Sequence, residues 1–167
     1  MVRTSINFFA EGEIVYTDGG ILAEFAWVLV VLPFIAALII TFIGKSLPMK
    51  GAEIALGTIG IIFVYSVALM FLHITQGIAN EFFVNVGSIG QFDIEFGWVV
   101  DGLSIMMYFV VGLVALLVFI YATNYMEGEI RYTFFFTSLT LFAGSMLVLV
   151  SSPTLIQILI GWELVGV

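Results

Sequence analysis

Long apolar runs joined by short polar segments dominate the chain. The first runs from about Glu24 to Gly44 and contains FAWVLVVLPFIAALIITFI. A second runs from about Ala52 to Gln76, a third from about Asp101 to Asn124, and a fourth from about Tyr132 to Val150. Each is about 20 residues, which at about 1.5 Å per residue spans a hydrocarbon core of roughly 30 Å. A fifth run opens at about Pro153 and reaches Val167. At about 22 Å it is too short to finish a crossing, so the pattern predicts a truncated fifth span and a fragment of a larger bundle. Between the second and third runs the period changes. From Gln91 to Trp98, Phe92, Ile94, Phe96 and Trp98 alternate with Gln91, Asp93, Glu95 and Gly97. Period two predicts a strand, and GSIG (Gly87 to Gly90) supplies turn residues. A short β-hairpin outside the membrane, at about residues 82–98, is expected; an irregular loop is the alternative.

Composition agrees with this pattern. The chain is 62% hydrophobic, with 17 Phe, and only 10% charged, against about 25% charged in soluble domains. The expected class is an all-α integral membrane protein, with four complete spans, a truncated fifth and a small external hairpin. The net charge is -8 with only four Lys+Arg, too few for a phosphate-binding surface, which argues against nucleic acid as a partner. There is no Cys and a single His. That excludes disulfides, iron–sulfur ligation and bis-His haem within this chain. Phosphate-binding loops, zinc-ligand spacings and nucleophile elbows are absent from the sequence. Residues 1–23 form an acidic or polar extension without the apolar core of a signal peptide.

Basic residues set the expected orientation. Lys45 and Lys50 flank the first loop and Arg131 lies in the third, whereas the hairpin region carries Glu81, Asp93 and Glu95 and no cation. The positive-inside rule places the first and third loops in the cytoplasm and the N-terminus and hairpin outside. Arg3 disagrees, but sits at the edge of the distance over which the rule operates. Trp27, Trp98, Tyr121 and Tyr125 lie near span ends, as an interfacial aromatic belt requires. Glu127, Glu129 and Arg131 read as a solvated loop or a subunit contact. Pro33 inside the first span implies a kink, which membrane helices tolerate.

Glu163 is the strongest candidate for chemistry. Ser151–Ser152–Pro153 reads as a helix start, with a Ser cap and Pro at the first helical position. Glu163 then lies about 15 Å into the membrane, near the midplane. A charged carboxylate there costs roughly 2.5–3.5 kcal/mol on insertion scales, so it pairs, takes up a proton or lines a hydrated path. A neutral packing Glu, or a Glu near an interface, is the alternative. All four cations, Arg3, Lys45, Lys50 and Arg131, fall outside the spans. Glu163 is therefore either protonated or paired with a cation outside these 167 residues. Asp101 opens the third span as DGLS and reads as an N-cap, with a proton-exit or coupling role as the alternative. His73, near the outer end of the second span, is an interfacial polar group or a proton relay; alone it cannot form a metal site.

Taken together, these residues resemble the N-terminal quarter or so of the antiporter-like L-type subunit of complex I, the proton-pumping NADH:quinone oxidoreductase. The resemblance rests on Leu32–Pro33 in the first span, GKSLPMKG after it, VDGLSIMM opening the third, YATNYMEGE closing it and GWELVG in the fifth. It covers the chain after about residue 24; DGLS and GWELVG together are specific. It implies proton translocation along a polar axis inside the membrane, driven by quinone reduction elsewhere in the complex. It also implies that the fifth-helix Glu, here Glu163, pairs with a Lys on a later helix, which would lie beyond Val167. Flavin, iron–sulfur clusters and quinone would belong to partner subunits, and the other membrane-arm subunits would be the partners. The location would be a bacterial or archaeal plasma membrane or an energy-transducing organelle membrane. The large subunit of multisubunit cation/proton antiporters is similar but typically reads WELTS, so WELVG favours the respiratory family. A third reading is a piece that has no activity by itself. The polar extension before the first span departs from the family's usual start.

Overall fold

A computed structural model of the chain describes residues 20–89 and 92–166. Most of the expected N-terminal extension, residues 1–19, lies outside the described residues. A short helix α1 (Gly20–Glu24) turns at Phe25–Ala26 into α2 (Trp27–Ile43), which continues through a 3₁₀ turn at Gly44–Ser46. Then come α3 (Ala52–Gln76), strands β1 (Asn80–Ile89) and β2 (Phe92–Val100), α4 (Gly102–Tyr125), α5 (Tyr132–Ser151) and α6 (Leu155–Gly166). Among the described residues, four helices are long and apolar enough to cross a membrane: α2 with its 3₁₀ extension, α3, α4 and α5.

Local chemistry sets the boundaries. α3 begins after two left-handed residues, Lys50 (φ 51°) and Gly51 (φ 99°), and ends at left-handed Gly77 (φ 62°), whose N–H donates to the His73 carbonyl at 2.9 Å. α4 starts at a capping box. The Asp101 Oδ1 accepts from the Ser104 N–H at 2.7 Å, and the Ser104 Oγ accepts from the Asp101 N–H at 2.8 Å. Together these satisfy donors that a helix start otherwise leaves free.

The bundle is held by close backbone approaches at glycine. In a membrane, where burial against lipid-like neighbours gains little, small residues allow the dense contact that drives association. A Cβ on Gly112 of α4 would stand 3.3 Å from the Phe63 Cα on α3. One on Gly144 of α5 would meet the Pro33 Cβ at 3.1 Å and the Phe34 ring at 3.2 Å on α2, so α5 runs against the proline-bearing turn of the first span. Tyr108, Phe119, Phe136, Leu29 and Ile62 are fully buried between the helices, with Phe119 and Phe136 meeting edge-on at 6.0 Å. Buried hydroxyls satisfy themselves locally. Ser66 donates to the Phe63 carbonyl at 2.7 Å, Thr140 to Phe136 at 2.7 Å and Ser145 to Leu141 at 2.8 Å, the usual arrangement for Ser and Thr in membrane helices.

The hairpin is antiparallel, from Asn80↔Val100 to Ile89↔Phe92, with a bulge between Asn85 and Gly87. It is longer than the expected residues 82–98. GSIG does not supply the whole turn: Gly87, Ser88 and Ile89 pair as strand with Ile94, Asp93 and Phe92. Gly90 and Gln91, between the strands, lie outside the described residues.

Candidate functional site

Glu163 sits on α6, whose start differs from the sequence expectation. Ser151 ends α5, and Ser152 is extended (ψ 120°), the conformation that a following proline favours. Ser151 and Ser152 direct their hydroxyls back to the Val148 carbonyl at 3.1 and 2.5 Å. They close α5 and do not cap α6. Thr154 is the cap: its Oγ1 accepts from the Gln157 N–H at 3.4 Å and its carbonyl accepts from the Ile158 N–H at 3.0 Å. Leu155 is therefore the first helical residue, and Glu163 lies about 12 Å along the axis rather than about 15 Å.

Two residues fix the rotation of α6, and they are its two buried positions: Gln157 and Gly161. They are four apart and share one face. A Cβ on Gly161 would lie 3.0 Å from both the Cα and N of Leu149, so α6 rests directly on the backbone of α5. Gln157 locks onto the hairpin. Its Oε1 accepts from the Gly97 N–H at 2.9 Å, and its Nε2 donates to the Gly97 carbonyl at 2.8 Å. Gly97 has no room for a side chain, since a Cβ would stand 1.9 Å from the Phe82 carbonyl oxygen. Glu163 follows Gly161 by two residues, about 200° around the helix. It points away from the five other helices and is exposed, flanked by exposed Trp162 and Leu164. Among the described residues it has no hydrogen-bond or ion-pair partner.

The same hairpin edge links α6 to α4. Along β2, the Glu95 carbonyl accepts from the Thr154 Oγ1 at 3.2 Å, Gly97 is held by Gln157, and the Val99 carbonyl accepts from the Tyr108 hydroxyl at 3.0 Å. These alternate residues turn their backbone groups away from β1. Side chains from two helices thus close an edge that would otherwise be open.

Asp101 and His73 come together at this end of the bundle. Asp101 is the N-cap of α4, as described. The His73 Nδ1 lies 2.8 Å from the Ile78 carbonyl; a carbonyl only accepts, so Nδ1 carries the proton. The other ring nitrogen faces Gly102, where a Cβ would stand 2.9 Å from Nε2. His73 thus ties the chain beyond Gly77 back to α3 and packs on the start of α4. No hydrogen bond or ion pair joins Glu163 to Asp101 or His73 among the described residues.

Sequence reasoning passed over Gln157. The available signal was a lone amide inside LIQILI, one turn before Gly161 and six residues before Glu163. It also passed over Glu53, whose Oε1 accepts from the Met49 N–H at 2.9 Å while its Oε2 is buried without a partner. Among the described residues no group of three or more His, Asp or Glu side chains could hold a metal ion.

Comparison with known proteins places these features. The family described as NADH-Ubiquinone oxidoreductase (complex I), chain 5 N-terminus matches residues 87–136, a stretch that includes Asp101 but neither His73 nor Glu163. The chain is 38% identical over 154 residues to NAD(P)H-quinone oxidoreductase chain 5 of Synechocystis sp., covering 87% of this chain and 22% of that protein. It is 37% identical over 153 residues to the chain 5 protein of Picosynechococcus sp., covering 87% and 23%. It is 33% identical over 150 residues to the chloroplastic subunit 5 of Chlorokybus atmophyticus, covering 86% and 23%. The chain thus spans little more than a fifth of the length of these relatives. Its apolar helices and its relatives from cyanobacteria and chloroplasts make it an integral membrane protein. Along most of its length the chain is similar to NAD(P)H-quinone oxidoreductase chain 5 proteins, and residues 87–136 match the family of the complex I chain 5 N-terminus.

Proposed function

We propose that this chain forms the start of a proton-translocating membrane-arm subunit of a complex I-type enzyme, and that Glu163 is a proton-exchanging carboxylate within it. The observation that carries this reading is the orientation of α6. Gln157 and Gly161 anchor one face, and Glu163 stands on the opposite, unpartnered face. A carboxylate turned toward hydrocarbon is too costly to persist, so that face is covered by helices that either share its proton or neutralise its charge. The resemblance assigns that cover to a later helix of the same subunit, with a lysine facing Glu163. Moving that lysine toward or away from Glu163 would change the carboxyl's hold on its proton. Coupled to quinone reduction in other subunits, which would hold the flavin, iron–sulfur clusters and quinone, this exchange moves protons across the membrane. The other membrane-arm subunits are the partners.

Asp101 and His73 serve this function as builders of the external end, holding α3, the hairpin and α4 in register. In this orientation the Lys45, Lys50 and Arg131 loops face the cytoplasm.

Glu163→Gln in the complete subunit, within its native assembly, tests the reading. Quinone-reductase-driven proton uptake into sealed vesicles should fall sharply, while subunit composition on a native gel stays unchanged. Undiminished proton uptake by an intact Glu163→Gln assembly would remove Glu163 from the mechanism.

A further inference from the structure

The chain is acidic overall, yet three of its four Lys+Arg residues border one pocket. Lys45 and Lys50 of the α2–α3 loop, and Arg131 at the start of α5, line a cavity of about 320 Å³ together with Ile130, Thr133 and Phe134. That volume lies at the lower end of the range of small-molecule sites, about 300–1,000 Å³.

The walls of this cavity are fixed. The Thr133 Oγ1 donates to the Lys50 carbonyl at 3.0 Å, and the Thr133 methyl packs against Gly44, where a Cβ would stand 2.8 Å from it. The two loops are therefore clamped to each other. Lys50 is also the only non-glycine among the described residues with positive φ, at 51°. A lysine rarely adopts that conformation, and it is kept where surrounding contacts impose it. No carboxylate forms an ion pair with Lys45, Lys50 or Arg131 among the described residues. Glu127 and Glu129 lie in the same loop as Arg131 and are exposed, and Glu53 spends one oxygen on the Met49 N–H. Three cations that border one pocket and are not ion-paired form a site for an anion, although Glu53 and Glu127 also act electrostatically on Tyr132 of its lining.

The apolar rim identifies the kind of anion. Ile130 is fully exposed and Phe134 is 68% exposed, beside the cations and at the end of a membrane-crossing helix. A free phosphate has no use for such a rim. A phospholipid does: its phosphate meets the cations while its glycerol and upper acyl chain lie over Ile130 and Phe134. Basic pockets between span ends also sit where anionic headgroups are concentrated. We propose that this pocket binds the phosphate headgroup of an anionic glycerophospholipid, independently of the role of Glu163.

The test uses the complete protein in its native assembly, delipidated and returned to nanodiscs containing a photoactivatable phosphatidylglycerol. Cross-linked peptides should map to the segment around Ile130–Phe134. A Lys45→Gln, Arg131→Gln double variant should reduce that cross-link by about tenfold or more, while cross-links elsewhere and subunit composition stay constant. The charge-preserving Lys45→Arg, Arg131→Lys pair should retain it. Lys50 is left unchanged because its backbone conformation carries the loop. Cross-linking that survives loss of both charges, or never maps to this segment, would overturn the proposal. Displacement of the lipid probe by inorganic phosphate would also overturn it, by assigning the pocket to a soluble anion.

Discussion

Gln157 holds both backbone groups of Gly97, donating to its carbonyl at 2.8 Å and accepting from its N–H at 2.9 Å. A planar carboxamide matches the paired donor and acceptor of an open strand edge, and Gly97 lets the two approach because no Cβ intervenes. The bond pair joins segments 60 positions apart in sequence and determines which face of α6 carries Glu163. A local hydrogen-bond motif at the bundle's end thus sets the direction of a carboxylate roughly two turns away.

Gln157→Leu keeps the size of the side chain but strands the Gly97 N–H and carbonyl. Leaving a buried polar group unsatisfied costs about 1–3 kcal/mol, and here two groups are affected. The expected outcome is a lower thermal midpoint and faster amide exchange in β2, centred on Gly97, read by hydrogen-exchange mass spectrometry. Gln157→Glu retains an acceptor for the N–H but opposes a carboxylate oxygen to the Gly97 carbonyl, and should be at least as damaging above the carboxylate's titration range. Unchanged exchange at Gly97 in the Leu variant would mean that the clamp contributes nothing.

How far the sequence reached can be judged from particular residues. The spans were legible because lipid imposes a coarse rule: about 20 apolar residues with the charges at the joints. Asp101 was legible as a cap because DGLS places Ser104 at the reciprocal position. The start of α6 is not legible in sequence because Ser and Thr at neighbouring positions compete for the same task. Ser151 and Ser152 back-bond to Val148, and only the structure shows Thr154 taking the cap. GSIG reads as a turn in sequence, but glycine also serves in strands at bulges, and the bulge lies at Asn85–Gly87. Gln157 escaped notice because its partner is a backbone, which leaves no complementary residue type to find. Glu163 could be located in sequence, but its direction depends on tertiary contacts at Gly161 and Gln157.

Asp101→Asn separates capping from proton chemistry at the head of α4. Asparagine keeps the Oδ1 acceptor and removes the charge, so stability should change by no more than a few tenths of a kcal/mol, whereas Asp101→Ala should cost about 0.5–2 kcal/mol. Thermal unfolding in detergent measures both stability changes, and vesicle proton uptake measures translocation by the Asn variant. The Asn variant should assemble and translocate normally. An Asn variant of normal stability that no longer translocates protons would give the carboxyl a chemical role beyond its cap.

Two helical glycines make opposed predictions from one substitution. A Cβ on Gly60 of α3 meets nothing within 4 Å. Gly60→Ala should therefore stabilise the chain by about 0.5–1 kcal/mol, the gain from restricting an interior helix glycine. Gly161→Ala carries the same intrinsic gain, but its Cβ would lie 3.0 Å from the Cα and N of Leu149. Backbone atoms cannot rotate away, so α6 has to move off α5 or turn about its axis. A shift that relieves the clash also strains the Gln157–Gly97 pair, which lies one turn earlier on the same face. The expected result is a lower thermal midpoint for Gly161→Ala, a higher one for Gly60→Ala, and faster exchange at Gly97 in the first variant only. In the native assembly, Gly161→Ala should also impair proton translocation, because the same movement changes the aim of Glu163. Equal behaviour of the two alanine variants would show that the α5–α6 contact is loose and that its geometry does not set the direction of Glu163.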